Sequence, residues 1–221
     1  MITEEIIEKN KERFLALTQS IERDGVDMDR LIRQLTESDF FVAPASTIYH
    51  CSYKGGLCEH SLHVYDTLRK MCHAMYTTVD ENGEESVPNC PYSDDTIKIV
   101  ALFHDFDKMN KYEQTIRNQK VYSEVGTKSD GLGKFDWVSV PSYKKKDAEN
   151  LFTIGTHGEN SVYMTETFIP LTVEEHCAIL NHHNVYDNPN LDSATIYSKY
   201  PLACLLHLAD MASTYVVESH E

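Results

Sequence analysis

The decapeptide IVALFHDFDK, residues 99 to 108, constrains the fold of this chain more than any other stretch. Its first five residues are apolar in a row, which on a helix leaves no face for water, so the segment belongs inside a packed bundle. It then runs into His104 and Asp105, with Asp107 and Lys108 just beyond. Ionisable groups at the end of a buried helix lose hydration that only a partner can replace.

Apolar periodicity predicts further helices around this one. Residues 3 to 22 carry Ile6, Ile7, Phe14, Leu15 and Leu17 among charges, and a second short helix covers 28 to 37. The stretch 40 to 56 mixes Pro, Ser and Gly with aromatics and reads as loop, before helix resumes from Leu57 to Tyr76. A polar connection, 80 to 95, follows, with Asp94 or Asp95 as the cap of the helix that carries IVALF. Between 109 and 150, β-branched and aromatic residues in rough alternation, separated by Gly126, Gly131 and Gly133, predict a small β-hairpin. Helix returns near 158 to 168, and Thr172 followed by Glu175 has the spacing of a capping box opening a helix through His182. The last helix, about 199 to 217, contains PLACLLHLADMASTYVV, apolar almost all round.

On these helices three ligand-type side chains face inward, because residues three, four and seven apart share a face. His104 lies with Ile97, Val100 and Ala101; His60 with Val64, Leu68, Met71 and Met75; Asp210 with Leu202, Ala203 and Leu206. Any one alone reads as a hydrogen-bonded core group. Together, with few Arg residues nearby in sequence to pair Asp210, they are compensated most economically by a shared cation.

Composition narrows the partners. At 221 residues, 41% hydrophobic and 25% charged, the chain suits one domain with a sizeable core. An acidic N-terminus and the lack of any apolar stretch of roughly 18 residues give the expectation of a cytoplasmic protein away from membranes. The six cysteines include no CxxC pair and read first as reduced core thiols, with a zinc knot or disulfides as the other readings. A net charge of −15 disfavours long nucleic acid, whose binding requires many Lys and Arg, but leaves room for a small phosphorylated substrate beside a local cationic centre. The basic run Lys144, Lys145 and Lys146 reads as solvated loop.

Five motifs in order, GGLCEHSLHV (55 to 64), ALFHDFDK (101 to 108), GTHGENS (155 to 161), LNHH (180 to 183) and HLAD (207 to 210), resemble the signature of HD-domain metal-dependent phosphohydrolases over roughly residues 40 to 215. Within it, YHCSYKGGLCEHSL is most similar to the HD domains of certain bacterial 3′-to-5′ exoribonucleases and conjugative relaxases. The resemblance implies an all-α, single-domain bundle of about seven or more helices, with the hairpin as an insertion near 110 to 142. It also implies two divalent ions, drawn from Mn, Fe, Ni, Zn or Mg: His60, His104, Asp105 and Asp210 would hold one, and Asp105 would bridge to a second completed by His157 and His182. A water activated by the ions would then be the nucleophile on phosphorus. Lys108 matches the lysine of the family's HDxGK pattern and would contact a phosphate oxygen; a solvated lysine at a helix end is the alternative. Asp107 stands where that pattern has glycine, which puts the aim of Lys108 in question.

His183 follows His182 directly, and helical neighbours diverge by about 100°, so His183 is expected to contact substrate or support a ligand rather than share the ion. His50 reads equally as substrate contact or structural residue, and His63, one turn from His60, as exposed or supporting. The leading functional expectation is an enzyme that hydrolyses a small nucleotide or deoxynucleotide. An exonuclease or cyclic-nucleotide phosphodiesterase is the alternative, and a non-catalytic metal-binding module the third.

Overall fold

The computed structural model describes residues 2–86, 88–183 and 192–220. Its helices are α1 (Glu4–Gln19), α2 (Met28–Glu37), α3 (Gly56–Tyr76), α4 (Asp94–Phe103), α5 (His157–Glu166), α6 (Val173–Leu180), α7 (Ser193–Lys199) and α8 (Pro201–Ala212). Between α4 and α5 lie the strands β1 (Tyr112–Tyr122), β2 (Lys128–Asp130) and β3 (Gly133–Lys145).

Local chemistry explains these boundaries. The side chains of Thr3, Asp27, Ser93 and Thr156 each accept from a backbone N–H in the first turn of the helix they precede. The cap of α4 is thus Ser93, one residue ahead of the expected aspartates, which fall in its first turn and suit the positive end of the helix dipole. Thr172 and Glu175 form the expected capping box of α6, whose helix ends at Leu180 rather than at His182. The expected last helix, about 199 to 217, is α8 followed by a π-helical turn, Ser213–Val217; the short α7, which was not expected, ends ahead of it at Tyr200, because Pro201 fits the first turn of a new helix and not the interior of an old one.

Helix α4 is buried from Ile97 to Phe103, and Phe103 joins Phe14, Phe40, Phe41 and Phe106 in an aromatic core of tilted and edge-on rings. Full burial of each such ring is worth about 1.5–3 kcal/mol, so this cluster fixes where IVALF ends. Helix α3 packs on α4 and α8, and α8 packs on α6. Arg23 forks onto the fully buried carboxylate of Glu175 at 2.6 and 2.7 Å, tying the segment after α1 to the start of α6. The far end of α3 outruns the bundle: Val64 and Leu68 are buried, but Met75 of the same stripe is exposed.

The architecture corrects the all-α expectation. The chain is helix-rich but mixed, and the insertion is a three-stranded antiparallel sheet, order β1-β3-β2, running to Lys145 rather than a hairpin ending near 142. Strand β3 pairs along its length with β1, from Tyr112 opposite Lys145 to Tyr122 opposite Phe135. Its start also accepts Lys128–Asp130 on the other edge, because the chain turns back through Gly131 and Leu132, held by Asp130 accepting from the Leu132 N–H. Among the described residues no helix is long and apolar enough to cross a membrane.

Candidate metal centre

Close backbone approaches bring the expected residues together. At Gly56, which opens α3, a Cβ would fall 2.0 Å from the carbonyl oxygen of Cys51, so only glycine lets the helix start against that loop and bring His60 in on its second turn. At Gly158 a Cβ would fall 2.1 Å from the carbonyl oxygen of Leu180, so glycine lets α5 and α6 meet where His157 and His182 must meet. His104 is the last turn's cap on α4, and a 3-10 turn, Phe106–Lys108, folds Lys108 back onto Asp105. Asp210 comes from the buried face of α8.

Each of the four histidines is anchored through Nδ1, which leaves Nε2 facing a common centre. His104 Nδ1 donates to the Ala101 carbonyl (2.8 Å) and His182 Nδ1 to the Ile179 carbonyl (2.6 Å). A carbonyl only accepts, so the proton sits on Nδ1 and both Nε2 atoms carry free lone pairs. His60 Nδ1 donates to Glu218 (2.9 Å), and His157 Nδ1 faces Asp107 at 2.5 Å as an ion pair whose direction of approach is not that of a hydrogen bond. Inside, His60 Nε2 lies 3.3 Å from His104 Nε2 and 3.2 Å from Asp210 Oδ1. His157 Nε2 lies 3.2 Å from His182 Nε2 and 2.7 Å from Asp105 Oδ1.

Asp105 stands between the two groups. Its Oδ1 faces His157 and His182 (2.7 and 3.5 Å), and its Oδ2 faces His104 and His60 (3.5 and 3.6 Å). That is the arrangement of a carboxylate spanning two cation positions. Lys108 Nζ is 2.6 Å from Oδ2 as an ion pair, although the direction of approach is not that of a hydrogen bond.

The four carboxylates of the centre are balanced by two ammoniums and two histidines held protonated. Asp105, Asp107, Asp210 and Glu218 gather around two ammoniums, Lys108 and Lys111. Burial alone would push the His60 imidazolium down, but Glu218 and Asp210 hold its pKa up to about 10. His157 is held up to about 9 against the same burial by Asp107 and Asp105. Burial, by contrast, lowers His104 to about 3, so it is neutral. Although burial opposes it, the Lys108 ammonium and a hydrogen bond from His157 hold the Asp105 carboxyl well below the usual range.

These donors suit divalent metal ions. The ligand atoms of His60, His104 and Asp210 lie within 4.8 Å of one another, as do those of Asp105, His157, His182 and His183. An ion with bonds of about 2.0–2.2 Å holds neighbouring donors about 3.0–3.5 Å apart, close to the spacings found here. Imidazole with carboxylate serves Mn, Fe, Ni and Zn alike, and outward Nδ1 bonds to carbonyl and carboxylate are the supports metal-bound histidines require.

Some positions differ from expectation. His183 joins the second group, its ring centroid 4.3 Å from His182 and 4.5 Å from His157. The 100° divergence does not apply, because α6 has already ended at Asn181 and residues 181 to 183 form a turn. Lys108 is buried, which removes the solvated-lysine alternative. Asp107 does not draw Lys108 away; its carboxylate forms ion pairs with His157 Nδ1 at 2.5 Å and with Lys111 at 2.6 Å. Loss of this support in Asp107→Ala is expected to weaken binding of the ion at His157 about 10- to 100-fold, read by competition against a chromophoric chelator. An unchanged affinity would leave Asp107 a folding residue only.

Sequence reasoning missed Glu218 altogether. It is buried, accepts from both His60 and His63 (2.9 and 3.0 Å), and is delivered by a π-helical turn, Ser213–Val217, after α8. A single glutamate after an apolar run carries no spacing signal, whereas Asp107 was visible as a departure from a pattern. His207 Nδ1 donates to the His182 carbonyl (2.6 Å), which steadies that turn.

The centre opens on a cavity of about 720 Å³ lined by His50, Lys108, His183 and Asp210, with Tyr49 and Tyr215 exposed at its rim. His50 packs its ring 4.6 Å from that of His60, and burial lowers it to about 4. No protein-family model matches this chain, and neither does any curated protein or solved structure.

Proposed function

We propose that the protein is a metal-dependent phosphohydrolase acting on small nucleotides, as the resemblance to HD domains implies. The observation that carries the reading is Asp105 between two histidine groups, one oxygen toward each, beside an open cavity that Lys108, His183 and Asp210 line. Divalent ions bound there would supply Lewis acidity and an activated water, so no protein nucleophile is needed. The protein's own part is positioning. His104 and His182 offer lone pairs fixed by backbone carbonyls, and Asp107 and Glu218 hold the other two rings in register.

Lys108 brings a fixed positive charge to the cavity wall, where phosphoryl oxygens gain charge during hydrolysis. His50 and His183 line the same wall as substrate contacts, and the rim tyrosines offer faces on which a base can stack. The cavity falls within the size range of small-molecule sites, about 300–1,000 Å³.

A screen of nucleotides, cyclic dinucleotides and short oligonucleotides with added Mn²⁺, Ni²⁺ or Mg²⁺, and product identification, tests this. Mononucleotides are expected to be hydrolysed, chelator to abolish turnover, and a strand of roughly 20 nucleotides to react far more slowly at matched salt. Efficient degradation of the strand would replace the reading with an exonuclease. Full metal loading without turnover of any of them would leave a binding module.

A further inference from the structure

Outside the centre just described, a second kind of ligand set meets at Glu218. The ligand atoms of Cys51, His63 and Glu218 lie within 4.8 Å of one another, with His63 Nδ1 3.0 Å from Glu218 Oε1. They come from three separate elements: the loop before α3, the second turn of α3, and the segment after the π-helical turn. Cys51 is buried and sits at φ 42°, a left-handed conformation that costs a non-glycine residue energy. The fold thus holds a sulfur beside an imidazole and a fully buried carboxylate. The Tyr53 hydroxyl lies 3.4 Å from the same sulfur and 2.8 Å from Glu59.

A second observation at the same carboxylate also points to a cation. His50, His60 and Glu218 form another set of ligand atoms within 4.8 Å, and both ring nitrogens of His50 are sealed from solvent with no hydrogen-bond partner. Buried imidazole nitrogens without partners are costly. A positive ion held on Glu218 lies where such electron-rich atoms are stabilised.

We propose that Cys51, His63 and Glu218 form a third metal site, separate from the centre spanned by Asp105, that takes a borderline-soft divalent ion of the zinc class. Sulfur, imidazole and carboxylate together are a zinc-type donor set, unlike the all-nitrogen-and-oxygen donors of the other centre. Binding forms the metal–sulfur bond as the Cys51 thiol proton leaves to solvent, and His63 Nδ1 becomes a ligand as its proton is given up and Nε2 takes one from solvent. The ion also fixes Glu218, so it bears on His60 through the carboxylate they share.

Cobalt(II) provides the test, because a thiolate-to-cobalt charge-transfer band in the near ultraviolet reports sulfur ligation and the Asp105 centre contains no sulfur. The wild-type protein is expected to take up about three equivalents and to show the band. Cys51→Ser should lose the band and one equivalent. His63→Asn, at a partly exposed position, should lose the same equivalent. Asp105→Asn should keep the band while losing cobalt from the other centre, so that failure of either site is seen separately. No band in the wild-type protein at saturating cobalt, or a band that survives in Cys51→Ser, would overturn the third site.

Discussion

Asp105→Ala is expected to strip both cation positions at once, while His157→Ala keeps at least the position formed by His60, His104 and Asp210. The asymmetry follows from geometry: Asp105 presents one oxygen to each histidine group, and His157 belongs to one group only. Loss of the Lewis acid and its activated water is worth several kcal/mol of barrier, so hydrolysis should fall on the order of a thousandfold or more. Alanine also leaves the buried Lys108 ammonium without its carboxylate, and breaking such a pair costs about 3–5 kcal/mol. Asp105→Asn keeps the shape and separates the effects: it should fold, as judged by circular dichroism, yet bind metal poorly. Elemental analysis after gentle dialysis reads the result, and full metal content in both variants would rule out the bridge.

Lys108→Ala is expected to lower the rate about 30- to 1,000-fold, corresponding to about 2–4 kcal/mol of transition-state stabilisation, with metal content unchanged. Burial opposes its charge, but Asp105 holds the ammonium above its ordinary pKa, so it meets the substrate as a cation. Bound cations would compete for that carboxylate and leave the ammonium facing the cavity. At saturating metal the rate should fall by the same factor in the Asp107→Gly background, because Asp107 engages His157 and Lys111 rather than Lys108. Unchanged turnover in both backgrounds would remove Lys108 from the site.

Much of this was legible because helices announce themselves by period. The bounds of α2 were readable to the residue, and the inward stripes of α3, α4 and α8 placed His60, His104 and Asp210 on buried faces. What escaped was structure without a period. Lys128–Asp130 is three polar residues, too short for alternation, so the third strand left no trace and the insertion read as a hairpin. Helical geometry does not govern the spacing of His182 and His183, because both lie past the end of α6 at Leu180. Glu218 owes its role to a π-helical turn, whose spacing differs from the 3.6-residue period that sequence patterns reveal.

The candidate ligands are scattered along the chain, from His60 to Asp210, over five separate segments. An unfolded chain cannot chelate with groups so far apart, since closing those loops costs entropy that no pair of ligands recovers. Metal held there would therefore bind the assembled protein alone and act as a thermodynamic clamp. At a free concentration a hundred times its dissociation constant, each such ion would raise the unfolding free energy by about 2.7 kcal/mol. Because these contacts are long-range, they also form late in folding, so loading should slow unfolding far more than it speeds folding.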